Sequence, residues 1–299
     1  MLINGVVIED TFAEAFPMRA TRLVITATER RWARTAAEAM TGFATSVIAC
    51  GCEAGIEREL GTEETPDGRP GVAVLLFAMG DKDLARQVQN RVGQCVLTCA
   101  DTACFSGLDG DALAPLGKAL RYFGDGFQIS KRLNGRRYWR VPVMDGEFLI
   151  EDTAGVAGGV GGGNFLILAA SGEIARASAE AAVAAMRRLP NVILPFPGGI
   201  VRSGSKIGSK YKGLVASTND AYCPTIRAQA PRSALPPEVE AVLEIVIDGL
   251  SEADVAQATA AGIRAACSLG RGAGVIGVTA GNYGGQLGPF HFHLHQVLR

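Results

Sequence analysis

INGVVIEDTFAEAF at residues 3–16 and MDGEFLIEDTAGVA at residues 144–157 share the tetrapeptide Ile-Glu-Asp-Thr, at 8–11 and at 150–153. The residues after each copy also correspond. TRLVITATERRWARTAAEAMTG (21–42) reads as a strand and then a helix with an alanine-rich inner face. GNFLILAASGEIARASAEAAVAAMRRL (163–189) gives the same two elements at nearly the same offset. Further on, GVAVLLFAMGDKDLARQVQNRVGQCVLT (71–98) pairs with AVLEIVIDGLSEADVAQATAAGIRAAC (241–267): an apolar strand, a turn with Asp, and an amphipathic helix. Each half therefore reads β-α-β-β-α-β, with its helices on one side of an antiparallel sheet, which is the ferredoxin-like plan. The expected fold is α+β, two tandem ferredoxin-like α/β sandwich lobes from an internal duplication, 1–142 and 143–299. The turn signals LDGD, GDG and LNGRR within 107–140 predict an excursion carrying a β-hairpin.

Composition narrows the function. A chain of 299 residues accommodates about two domains. Lysine plus arginine (29) nearly balance aspartate plus glutamate (30). No field over the whole molecule would recruit nucleic acid or an anionic membrane, so anion recognition must come from a local patch. The start MLINGVVIEDTF lacks a signal peptide's basic and apolar regions, and no window approaches the roughly 18 apolar residues of a membrane helix. The expected location is the cytoplasm. The seven cysteines match no paired metal spacing, and the expectation is reduced thiols.

Several stretches invite chemistry. HFHLH at 291–295 holds all three histidines, as a metal site or as an ordinary terminal strand. GGVGGGNFLIL at 158–168 misses the dinucleotide-binding register and leads into a strand rather than a helix. Glycines there serve equally a sharp bend or a close approach. PFPGGIVRSGSKIGSKYKG at 195–213 carries Arg202, Lys206, Lys210 and Lys212 with no acid. Gly199 and Gly204 have phosphate-loop spacing, but Ser205 stands where that motif needs lysine. Gly198, Gly199 and the cations suit an anionic ligand, and a solvated basic loop is the other reading. The first half has acidic IERELGTEETPDG at the matching place. ASTNDAYCPT at 216–225 offers Asn219, Asp220 and Tyr222 at a site edge. Glu244 is the sharpest signal: a carboxylate at the centre of AVLEIVIDG, where the first half has Ala73 or Val74. Burial among Val242 and Val246 would raise its pKa toward the range useful for proton transfer.

Taken in order, INGVVIEDTFAEAF, EETPDGRPGV, RVGQCV, FGDGFQ, DGEFLIEDT, PFPGGIV, GSK, STNDAYCPT, EIVIDGL, AGNYGGQLG and HLH span the whole chain. In these the sequence resembles formylmethanofuran:tetrahydromethanopterin formyltransferase. The resemblance implies two ferredoxin-like lobes per subunit, a homotetramer, and no metal or prosthetic group. It implies formyl transfer between the amine of a methanofuran-type carrier and N5 of tetrahydromethanopterin, both co-substrates rather than bound cofactors. Both carriers bear carboxylates and the pterin a phosphate, which gives the basic loop candidate ligands. Glu244 could serve both proton transfers, with glycine-rich backbone or Asn219 facing the oxyanion. In the family's pattern His293 and His295 have counterparts and His291 does not, which argues against a three-histidine metal site. The near-neutral charge and the insertion SLGRGAG point to a mesophilic, methylotroph-type bacterial member working within a formyltransferase/hydrolase complex. The alternative is a non-catalytic small-molecule-binding or scaffold subunit of such a complex.

Overall fold

The computed structural model describes all 299 residues. Its first hairpin, β1 (Leu2–Ile3) and β2 (Val6–Ile8), turns on Asn4-Gly5, both left-handed at φ 48° and 76°. That is the conformation a two-residue type I′ turn requires. The chain continues through β3 (Phe12–Thr26), α1 (Arg30–Thr41), the short α2 (Val47–Cys50), β4 (Glu53–Leu60), β5 (Gly71–Ala78), α3 (Asp81–Arg91) and β6 (Ala103–Ser106). Ala33, Ala36, Ala37 and Met40 form the buried stripe of α1, so small side chains let this helix lie close on the sheet. After β7 (Ala112–Pro115) and α4 (Gly117–Leu120) comes the hairpin of β8 (Ile129–Leu133) and β9 (Arg136–Val143), turning on Asn134-Gly135.

The second half runs β10 (Gly146–Glu151), β11 (Thr153–Ala169), α5 (Gly172–Met186), β12 (Val192–Ile193), the small ribbon β13 (Lys206–Ile207) and β14 (Ala216–Ser217), then β15 (Ala241–Gly249), α6 (Glu252–Ala266), β16 (Val275–Thr279), β17 (Phe290–His293) and α7 (Leu294–Val297). Ser171 and Ser251 cap α5 and α6 by accepting from the backbone N–H of Ile174 and Asp254. Neighbouring strands run β6-β3-β5-β4 in the first half and β16-β11-β15-β12 in the second, all antiparallel.

The two sets form one sheet. β3 and β11 pair antiparallel, from Ala20↔Ala157 to Phe16↔Gly161, within a 15-stranded sheet. Each half also gives its leading strand to the other: β2 lies parallel to β16, and β10 parallel to β6. Val6, Ile8, Ala13 and Ala15 consequently belong to the second half's apolar core, while Phe148, Ile150, Ala154 and Val156 belong to the first half's. Sequence repeat and packing unit thus differ in their first residues. The crossing also explains the glycine run at 158–163. A Cβ on Gly161 would lie 2.1 Å from the Met18 sulfur, and Gly162 sits at φ 84° in a bulge between Val160 and Gly163.

Polar links staple the seam. The Arg22 guanidinium donates to both oxygens of buried Glu57 at 2.6 and 2.7 Å, and Asn191 of the second half donates its backbone N–H to Glu57 at 2.7 Å. Nearby, Glu53 from β4 and Asp248 from β15 face each other, fully enclosed. Glu53 accepts from Val47 N–H and Asp248 from Gly162 N–H; one further oxygen on each has no other partner. Burial, and for Asp248 also the charge of Glu53, pushes both acids up, which favours a proton shared by the pair. A carboxyl pKa raised by folding contributes stability that is complete below the ordinary carboxyl pKa of about 4 and is lost as pH rises through the raised value.

Two consequences are measurable. Denaturant unfolding should show the protein losing stability as the pH is raised, and Asp248→Asn, whose amide donates at any pH, should flatten that slope. An unchanged slope would exclude the shared proton. Ile8→Ala should cost about 2–5 kcal/mol, the range for a large-to-small change in a core, although Ile8 stands at the head of the other half; a loss under about 1 kcal/mol would contradict the exchanged strand.

Candidate active site

Glu244 lies in the middle of β15. Ile245 and Ile247 point to the core under α5 and α6, so Glu244 and Val246 point to the opposite face. The strand is held on both sides: Leu166 of β11 pairs with Glu244, and Val201 bridges it with backbone bonds of 2.7 and 3.0 Å. Leu166 is matched in the first half by Val24, whose partner is Ala73. The same register position therefore carries a carboxylate in one half and a methyl group in the other. Burial pushes the Glu244 carboxyl up to about 7, and no protein donor bonds it.

A cavity of about 260 Å³ opens on this carboxyl, walled by Arg202, Gly204, Asn219, Tyr222 and Thr225. The segment between β12 and β15, poor in regular structure, is what folds over the sheet face to make it. Arg202 is exposed and has no acidic partner within salt-bridge distance. Lys206 is differently placed: it forms an ion pair with Asp220, whose carboxyl its hydrogen bond holds below the usual range. The acid-free stretch is thus partly neutralised from 14 residues downstream. Lys210 and Lys212 stand exposed at the loop tip and do not line the cavity. Gly198, at φ 68°, borders a different cleft of about 660 Å³ between the halves, while buried Gly199, at φ 85°, packs on Val183. Of the residues singled out in the sequence, the fold brings together Glu244, Arg202, Asn219 and Tyr222, sets the Lys206–Asp220 pair beside them, and leaves Gly198, Gly199 and Lys210 elsewhere.

Sequence reading missed a second buried carboxylate, Glu14 on β3. It accepts backbone N–H bonds from Tyr283 (2.7 Å), Gly285 (3.1 Å), Leu287 and Gly288 (3.0 Å). Burial alone would raise its pKa, but the four donors outweigh burial and hold it below the usual range. The available signal was a lone acid inside the apolar run FAEAF, together with the glycine-rich GNYGGQLG.

The histidines do not converge. His291 and His293 lie on β17, at ring-centroid distances of 4.9 and 5.2 Å from Phe12. His295 falls in α7, its Nε2 2.8 Å from the Ile8 carbonyl and its Nδ1 3.4 Å from Asp10. No three His, Cys, Asp or Glu side chains come together in a metal-holding group.

The profile of the formylmethanofuran-tetrahydromethanopterin formyltransferase family matches residues 1–143, and that of the proximal lobe of the same enzyme matches residues 146–297. A formylmethanofuran–tetrahydromethanopterin formyltransferase of Methylococcus capsulatus is 66% identical over 298 residues, covering 100% of both chains. One subunit of the formyltransferase/hydrolase complex of Methylorubrum extorquens is 56% identical, covering 99% of this chain and 97% of its own. Among solved structures, that organism's formyltransferase/hydrolase complex with methylofuran contains a chain matching at TM-score 0.97 and 54% identity, covering 100% of this chain and 99% of the other. The formyltransferase of Methanosarcina barkeri matches at TM-score 0.94 and 48% identity, covering 99% and 100%.

Elemental analysis of protein purified without chelator should find far less than one zinc per chain, and His291→Ala should keep its turnover. Stoichiometric zinc, lost together with activity in that variant, would reverse the reading of the histidines.

Proposed function

The chain belongs to the formylmethanofuran–tetrahydromethanopterin formyltransferase family and is a formyltransferase; we propose that Glu244 is its proton carrier and that the cavity over Glu244 holds the reacting groups. The reaction moves one formyl group from one amine nitrogen to another. The incoming nitrogen attacks the formyl carbon, a C–N bond forms, and the carbonyl becomes an alkoxide. Glu244 takes the proton from the incoming nitrogen and gives it to the leaving nitrogen; the second C–N bond breaks and the carbonyl re-forms. A group that must be base and then acid works best with a pKa near the working pH, and a carboxyl pushed up to about 7 meets that requirement. That match, on a cavity wall where the first half carries only Ala73, is the observation supporting the assignment.

The neighbours have separable tasks. The Asn219 side-chain amide is uncommitted within the protein and lines the cavity, so it can donate to the oxyanion. Arg202 on the cavity wall is placed to attract the carrier's anionic groups, Lys210 and Lys212 stand away from it at the loop tip, and Lys206 is engaged with Asp220 and orders the loop. Tyr222 supplies an aromatic wall. The carrier is of the methanofuran class; the Methylorubrum complex is the one solved with methylofuran. We also infer tandem ferredoxin-like lobes from an internal duplication, with 1–142 and 143–299 as the repeat units. The shared strand order and the Ile-Glu-Asp-Thr repeat support this. A homotetramer, or a place among other subunits of a formyltransferase/hydrolase complex in the cytoplasm, is the assembly we propose. No helix is long and apolar enough to cross a membrane.

Glu244→Gln keeps the shape and removes the proton transfer, so turnover should fall about 10²–10⁴-fold while carrier binding persists. In the parent enzyme turnover should rise with pH through about 7 as the carboxyl ionises. Because folding raises this pKa, the carboxyl's stability contribution is lost as pH rises through about 7, so the Gln variant should be no less stable at pH 8. Near-normal turnover in that variant across pH would end the assignment. Arg202→Met should raise the KM for one carrier about fivefold to tenfold, as for one partly exposed charge contact, with kcat preserved. A hundredfold fall in kcat at unchanged KM would make Arg202 part of the chemistry.

A further inference from the structure

The loop between β16 and β17, residues 280–289, is held at most of its backbone donors, and nearly all of those fixtures come from distant parts of the chain. Asn164 accepts the Gly281 N–H at 2.6 Å and donates to the Gly281 carbonyl at 3.2 Å. The Asn282 amide donates to Thr11 Oγ1 and the Phe12 carbonyl, both at 3.2 Å. Glu14 then gathers the N–H groups of Tyr283, Gly285, Leu287 and Gly288 on one carboxylate. Gly284 and Gly285 are left-handed at φ 71° and 75°, a turn that brings the N–H groups of Tyr283 and Gly285 onto one carboxylate oxygen. A Cβ on Gly288 would lie 2.1 Å from the Ala15 carbonyl, so the loop is pressed against β3. This is an anion cradle already filled by the protein's own carboxylate.

What the cradle holds in place is Tyr283. Across the sheet, Val201, Glu244, Leu166 and Thr279 form one row of paired residues. The segment 201–205 rises from one end of that row, and the 280–289 loop rises beyond Thr279 at the other. Both cover the face that carries Glu244, since Asn164, two residues from Leu166 on the same face, is bonded to Gly281. The Tyr283 phenol donates to the Ser205 carbonyl at 3.3 Å and so closes the span. Tyr283 is half-buried, and its phenol is pushed up by burial and then by the charge of Glu244.

We propose that Tyr283 and Glu14 are positioning residues for Glu244: Glu14 sets the loop, and Tyr283 ties it across to Ser205 and keeps water from the Glu244 carboxyl. This rests on Glu244 as the proton carrier. The dry setting is what a carboxyl needs to act as acid and base near neutrality. The other charged groups facing this region are Arg202 and Glu240 on the cavity wall and the Lys206–Asp220 pair, which is internally neutral. Glu14 itself stays ionised through the working range, so its grip on the loop does not vary with pH there.

The test is the pH dependence of kcat for formyl transfer between the two carriers, measured on the full protein for Tyr283→Ala, Glu14→Gln and the parent. The parent's acid limb should lie near 7, matching the raised Glu244 carboxyl. With Tyr283 removed the carboxyl meets water, and the limb should move down by about one unit or more, with lower kcat at its plateau and little change in KM. Glu14→Gln should move it the same way, because an amide nitrogen cannot accept the N–H groups a carboxylate gathers. If the limb stays in place in Tyr283→Ala, the proposal fails, and this variant decides the matter even if Glu14→Gln does not fold. Normal turnover in Glu244→Gln would remove the reading beneath the proposal and the proposal with it. A Glu244→Gln variant that loses turnover beside an unmoved limb in Tyr283→Ala would overturn the proposal alone.

Discussion

The antiparallel crossing of β3 on β11 is the contact on which everything else here depends. Two long strands, of 15 and 17 residues, meet over only part of their length, Phe16–Ala20 against Ala157–Gly161. Beyond the crossing each strand continues as the first strand of its own half. Before it, each is bordered by a strand from elsewhere: β17 beside the start of β3 and β7 beside the start of β11. Side chains crowd the seam: a Cβ on Gly159 would meet Phe77 and Ala20, and one on Gly161 the Met18 sulfur, so both positions suit glycine. Once the crossing is made, β2 and β10 lie beyond the partner's edge strand, and pairing there satisfies two edges that would otherwise be open.

Several enclosed carboxylates show how the partner decides the chemistry. Glu57 faces a guanidinium in bidentate contact and works as a structural ion. Glu14 gathers four backbone donors and stays charged without any cation. Glu53 and Asp248 face each other and a single N–H each, so burial pushes both up. Glu244 faces a cavity, with no donor, and burial alone sets its pKa. The same functional group becomes a bolt, a cradle filler, a buried acid pair and, in the role proposed for Glu244, an acid–base group. Only the last is left open to a ligand, and that separates it from the others as a site.

Much of the plan was legible because it is local. Helices α1, α5 and α6 announce themselves by period, and Ser171 and Ser251 by capping chemistry. Asn134-Gly135 states its own turn. A lone glutamate inside AVLEIVIDG is visible as an anomaly before any coordinates exist. Less was legible where segments carry no period. The stretch 195–240 contains only short ribbons and single turns, and its course over the sheet follows from contacts between residues far apart along it rather than from any repeating pattern. Lys206 looked like a free cation because Asp220, its partner, arrives from across that stretch. Glu14 looked ordinary because the four donors that define it come from the far end of the chain.

The sequence by itself determined the repeat, the order of the main strands and helices, and the carboxylate at the centre of β15 where β5 has none. Each of these is written in neighbouring residues, through side-chain period, turn conformation and capping. Only the tertiary structure decided which half each leading strand joins, which cations are neutralised, and which of the buried acids stays charged. Those outcomes depend on desolvation and on donors brought from remote positions, and both exist only once the chain has closed around them.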